Sequence, residues 1–177
     1  GYSAKCLGPG EDLAAATRCI YVKETNSGTS VTSTTGEVLD GGRTYLPRLM
    51  DHTAEENFDM VIIQLGTNDC ADWVVVGKPT DSLDRADMDE YTFCGAMESM
   101  IAYSQETWGE DCKVVIYSNT RFDQKNTEKY NDMVNQVQEI VDKWQAAGRP
   151  VYLMDMWNDA ALSDPTRYTD EQKELYN

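Results

Sequence analysis

This sequence predicts an α/β domain built as a three-layer doubly wound parallel sheet, and three observations carry that prediction. Apolar runs of strand length alternate with helical stretches along the whole chain. One run, Met60-Val61-Ile62-Ile63 followed by Leu65, is nearly uninterrupted, the pattern of a strand buried on both faces and therefore expected at the sheet's centre. The runs also stop at short polar residues, as at Gly66-Thr67-Asn68-Asp69, where glycine permits a sharp turn at the strand's carboxyl end. In open α/β sheets that edge is where ligands bind.

Taken in order, Gly8-Pro9-Gly10 marks a loop, and residues 11–18 form a short helix whose acidic first turn suits a helix N-terminus. Residues 19–25, rich in β-branched and aromatic types, read as a strand ending in the turn Asn26-Ser27-Gly28-Thr29-Ser30. A Ser/Thr/Gly-rich loop over 30–42 leads to a short helix before the central strand, with His52 at its end. After Asp69, Trp73 and Val74 to Val76 offer either an apolar wall for a ligand or an ordinary core-facing segment, and an acidic loop runs on to Glu90. Residues 91–108 read as a helix with Phe93, Met97, Met100, Ile101 and Trp108 at core spacing. Residues 112–118 form the next strand, followed by Asn119-Thr120-Arg121-Phe122 at the same edge, where Arg121 is either a substrate contact or a solvated loop residue. A long helix capped by Asn126 carries Tyr130, Met133, Val134, Val137, Ile140, Val141 and Trp144 on one face and closes at Gly148 and Pro150. Residues 151–155 are the last strand, and a short helix is expected over 169–176. No repeat, low-complexity tract or linker interrupts this alternation, so 1–177 reads as a single domain of flavodoxin-like type.

Composition narrows the partners. A net charge of −16 disfavours nucleic acid and anionic membrane surfaces, both of which favour basic patches. No run approaches the roughly 18 apolar residues of a membrane helix, and no basic segment followed by an apolar one marks a signal peptide. The five cysteines are scattered without a Cys-x-x-Cys pair, so free thiols in a reducing, cytoplasmic setting are expected, although two disulfides would fit a secreted origin. Carboxylates are abundant, yet no His/Asp/Glu group has metal-ligand spacing, and neither metal nor cofactor is expected.

The stretch Val61-Ile62-Ile63-Gln64-Leu65-Gly66-Thr67-Asn68-Asp69 resembles the Gly-x-Asn-Asp block of the SGNH (GDSL-type) serine hydrolases. Asn26-Ser27-Gly28-Thr29-Ser30 resembles a second block of that family, and the loop with Tyr45-Leu46-Pro47 is similar to its arylesterase and acyltransferase-like branch. The resemblance implies an oxyanion hole in which the Gly28 backbone N–H and the Asn68 side-chain amide donate to an ester undergoing attack, and Thr67 and Asp69 of the same block, with Trp73 and Arg121 from the neighbouring loops, are the candidate substrate contacts. Donors fixed at tight turns stabilise developing negative charge without reorganising.

A serine hydrolase also needs a nucleophile, a base and a group that orients the base. The family's Gly-Asp-Ser and Asp-x-x-His blocks have no counterpart here, and the expectation is that they flank these residues, with a further strand ahead of Gly1. Ser3, in Gly1-Tyr2-Ser3, is the rival nucleophile, and His52 is a poor base because it belongs to the helix before the central strand. Two functions from different classes follow: a serine esterase, deacetylase or acyltransferase acting on a small or carbohydrate-borne ester, or a binding module that keeps the fold without the triad.

Overall fold

The computed structural model describes residues 9–26, 28–33, 44–64, 66–120, 127–160 and 169. In chain order these form α1 (Pro9–Thr17), α2 (Leu46–Met50), β1 (Met60–Ile63), α3 (Phe93–Trp108), β2 (Lys113–Tyr117), α4 (Thr127–Ala146) and β3 (Val151–Met154). Three single-turn 3-10 segments, Ala54–Glu56, Asn68–Cys70 and Arg85–Asp87, lie in the connections. The architecture is mixed α/β: a three-stranded parallel sheet in the order β1-β2-β3, with its helices in the crossovers.

The helices begin and end where their residues dictate. α1 starts at proline and carries Glu11 and Asp12 in its first turn, against the positive end of the helix dipole. At the head of α3 the Thr92 hydroxyl accepts from Gly95 N at 3.1 Å, and a side chain at position 95 would lie 2.2 Å from the Asp89 carbonyl oxygen. Only glycine fits that crossing. α3 is buried on nearly every side from Phe93 to Gln105, so its core role reaches beyond the stripe that periodicity marks. α4 buries the expected face from Tyr130 to Trp144, and Gly148 (φ +79°) closes it as its N–H bonds Gln145 O. The capping residue Asn126 and the helix expected over 169–176 lie outside the described residues.

Parallel register aligns Val61 with Val114 and Val151, and Ile63 with Ile116 and Leu153, and these residues belong to or pack against the core beneath α3 and α4. Side chains alternate along a strand, so the intervening residues occupy the other face. There Met60, Ile62, Tyr152 and Met154 are exposed. β1 is thus not buried on both faces, and among the described residues it pairs with β2 alone, which is itself the middle strand. The expected strand over 19–25 does not form either: Ile20 is 97% exposed, and the segment has no ladder partner among the described residues. β-propensity describes a fit to a pleated surface, and without a neighbouring strand it yields no strand.

Candidate active site

The site is built where β1 ends. Gly66 has φ +111°, and a Cβ there would approach Met133 Cε to 3.3 Å and Phe93 Cε2 to 3.5 Å, so conformation and packing both call for glycine. The chain then turns tightly, with Asp69 N–H donating to Gly66 O at 3.1 Å, and enters the single 3-10 turn Asn68–Cys70. This turn sends adjacent side chains in different directions. Asn68 is exposed, whereas Asp69 is buried at 0%.

Both side chains reach the segment that follows Gly28. Asn68 Nδ2 donates to Thr29 O at 2.7 Å. Asp69 Oδ2 accepts Val31 N at 3.0 Å, and its Oδ1 accepts Thr32 N at 2.9 Å together with the Thr32 hydroxyl at 2.5 Å. Thr29 to Thr32 are all buried in irregular backbone, whose N–H groups have to find partners other than a strand ladder. The Asp69 carboxylate supplies two of them. Gly28 itself is exposed with φ +81°, and nothing lies within 4 Å of a Cβ built on it, so conformation rather than crowding favours glycine.

A polar row runs across the same edge of the sheet. Gln64 Nε2 donates to Asn119 Oδ1, and Asn119 Nδ2 donates to Thr67 Oγ1, linking the ends of β1 and β2. The Asn119 backbone N–H donates to the Tyr130 hydroxyl at 2.7 Å, and burial raises the Tyr130 pKa to about 12. On the other flank Lys129 donates to Ala71 O and to Val74 O, the latter at 2.7 Å, and so ties the loop after Asn68 to α4.

The sequence-expected residues divide accordingly. Asn68 bonds the residue after Gly28, and Thr67, its neighbour in the chain, bonds Asn119 at the end of β2. Trp73 is 53% exposed beside buried Val74 and exposed Val75, so the segment is part surface and part core. Asp69, expected beside the substrate, instead has both oxygens engaged inside the protein and is a structural residue of the turn. Ser3 and Arg121 lie outside the described residues. His52 is far from this chemistry: its Nδ1 lies 2.8 Å from Glu56 Oε1, and its ring meets Phe58, which leads into β1 at the opposite edge of the sheet. Gln64, Thr32 and Lys129 also serve this edge, yet nothing local in the sequence distinguishes them from surface polar residues.

The buried thiols are poor nucleophiles. Cys70, Cys94 and Cys112 are buried and form no disulfide among the described residues, and burial raises their pKa values, that of Cys94 to about 12. Cys19 is free and exposed, whereas Cys6 lies outside the described residues. Among the described residues no group of His, Cys, Asp or Glu is placed to hold a metal ion, and no helix is long and apolar enough to cross a membrane.

Chemically, the edge presents donors. The Asn68 amide nitrogen carries two hydrogens, and Thr29 O accepts one, which leaves the other for a further acceptor. One residue before Thr29, the left-handed Gly28 adds a backbone N–H on an exposed turn. Such a pair suits an anion or an oxygen that becomes one. Compared with known proteins, the chain matches no family model, and no curated protein or solved structure matches it significantly.

Proposed function

We propose that this chain carries the oxyanion-hole part of an SGNH-type serine ester hydrolase, an esterase, deacetylase or acyltransferase acting on a small or carbohydrate-borne ester. On this reading the three-stranded parallel sheet is part of a three-layer doubly wound, flavodoxin-like sheet. One observation carries the proposal. Asn68 Nδ2 donates to Thr29 O across 39 positions of sequence, which brings together the two turns that resemble the family's oxyanion blocks.

In the proposed reaction a serine Oγ attacks the ester carbonyl carbon while a histidine takes its proton, and the carbonyl electron pair moves onto oxygen. Gly28 N–H and the second Asn68 Nδ2–H donate to that oxyanion, each worth roughly 3–4 kcal/mol of barrier. Collapse breaks the bond to the alcohol oxygen, which receives the proton from histidine, and water or another alcohol then releases the acyl group by the same steps. The serine and the His-Asp pair are proposed to come from residues flanking these 177, with Ser3 as the rival nucleophile.

The reading as a binding module without a triad draws on His52, whose partner is Glu56 rather than any serine of the described residues. Hydrolysis of p-nitrophenyl acetate, by the 177-residue chain and by a form extended at both ends, separates the two readings. Turnover by the extended form, lowered about 100-fold or more by Asn68→Ala, is the expected result. A folded but inert extended form favours the binding module, and activity in the 177-residue chain itself turns attention to Ser3.

A further inference from the structure

We infer that Asp69 is the positioning residue of this site: its buried carboxylate sets the separation between the Gly28 turn and the Asn68 amide. The inference rests on the proposed oxyanion role of those two groups and adds what holds them in place.

The two donors belong to segments that share no regular secondary structure. Asn68 sits in a single 3-10 turn, and Gly28 precedes irregular backbone whose sole β-bridge among the described residues is Ser30 to Thr44. A bond from Asn68 to Thr29 O cannot alone fix their geometry, since an exposed amide rotates about its own side-chain torsions. Asp69 removes that freedom. It is the residue after Asn68, so its backbone moves with the Asn68 turn, while its oxygens hold Val31 N and Thr32 N at 3.0 and 2.9 Å and the Thr32 hydroxyl at 2.5 Å. Three bonds to one carboxylate, two of them from successive backbone amides, define position and orientation together.

The opposite segment is braced in turn. Ser30 Oγ donates to Thr32 O at 3.1 Å, Tyr45 N–H donates to Ser30 O at 3.0 Å, and Ser33 N–H donates to Glu90 O at 2.8 Å. Residues 29–33 therefore form a fixed platform, and Asp69 is the post that joins the Asn68 turn to it. Alignment on this scale governs rate, because a misplacement of about 1 Å in a catalytic group costs on the order of 100-fold.

The test is a double-mutant cycle in kcat for p-nitrophenyl acetate, using Asp69→Asn and Asn68→Ala in the active form of the protein. Thr32→Val serves as the milder variant, since it removes only the hydroxyl contact. Positioning predicts that Asp69→Asn lowers kcat about 100-fold and Thr32→Val about 10-fold, with KM changed by less than about threefold. In the Asn68→Ala background Asp69→Asn should then cost less than about twofold, because the group it positions is gone. Full additive loss, or an unchanged kcat in Asp69→Asn, overturns the inference. A readout independent of turnover is the NMR signal of the Asn68 side-chain amide with hydrogen exchange at the Val31 and Thr32 amides. If Thr32→Val and Asp69→Asn shift that signal and speed that exchange, the post is supported even in an inert protein, where only the hydrolase reading fails. If neither moves, the post itself is refuted.

Discussion

Among the described residues two carboxylates are fully buried, Asp69 and Glu98, and they are held in opposite ways. Glu98, on α3, accepts Thr80 N at 3.0 Å and pairs with Lys143 of α4, whose ammonium also donates to Thr80 O and Ser82 O at 2.9 and 2.7 Å. Asp69 is held by backbone N–H groups and a hydroxyl, with no ion pair formed among the described residues. An ion pair between long side chains tolerates small shifts in both, whereas backbone amides impose direction as well as distance. The cation-paired carboxylate pins the loop of Thr80 and Ser82, and the one held by fixed dipoles joins the Asn68 turn to residues 31 and 32.

The largest effect expected from this contrast is at Glu98. Glu98→Ala strips Lys143 of its carboxylate partner, and urea unfolding should show a loss of about 3–5 kcal/mol. Replacing both partners with methionine should cost clearly less, since the second charge disappears with the first. Asp69→Ala comes next, at about 2–4 kcal/mol, because two buried N–H groups lose their acceptor and no charge is left behind. Equal costs for Glu98→Ala and the methionine pair would break the comparison.

A neutral buried acceptor sharpens it. Burial raises the Tyr130 pKa to about 12, so the folded state holds that proton more tightly than the unfolded chain does. The resulting stability is complete below the ordinary tyrosine value near 10 and is lost as pH rises toward 12. Tyr130→Phe should therefore flatten the alkaline fall in urea-unfolding free energy by roughly 1–3 kcal/mol. The smallest effect belongs to an exposed pair, His52 and Glu56. The hydrogen bond from His52 lowers the Glu56 pKa, so its contribution is present above the ordinary carboxylate range and fades as pH falls through the lowered value. Glu56→Gln should shift the acid midpoint only slightly, and a large shift would show that exposure is a poor guide to the strength of such pairs.

The parts of the molecule legible in the sequence are those fixed by neighbours in the chain. The stripe of α4 from Tyr130 to Trp144, its stop at Gly148 and the turn at Gly66 all follow from local spacing and local conformation. The strand expected over 19–25 failed because pairing depends on what lies alongside, and propensity says nothing about that. For the same reason β1 reads as central from its own residues, yet pairs with β2 alone among the described ones. At the site, the Gly66-Thr67-Asn68-Asp69 turn was visible as a turn. What each side chain does was not, since the partners of Asn68 and Asp69 lie 37 to 39 positions away on a segment with no pattern of its own. The place of Asp69 at a strand's carboxyl end suits a substrate contact, and only the buried amides of Val31 and Thr32 draw it inward.

The exposed face of the sheet makes the molecule unevenly sensitive to oxidants. Met60 and Met154 stand on that face at 43% and 56% exposure, whereas Met97, Met100 and Met133 are buried at 1%, 0% and 2%. Peroxide converts an accessible thioether to a sulfoxide, which is polar and chiral. Brief treatment should therefore label the sheet face ahead of the core, and peptide mass spectrometry would read the order directly. Any contact that covers this face, in whatever assembly the protein enters, would register as slower sulfoxide formation at these two residues, which makes Met60 and Met154 built-in reporters of its occupancy.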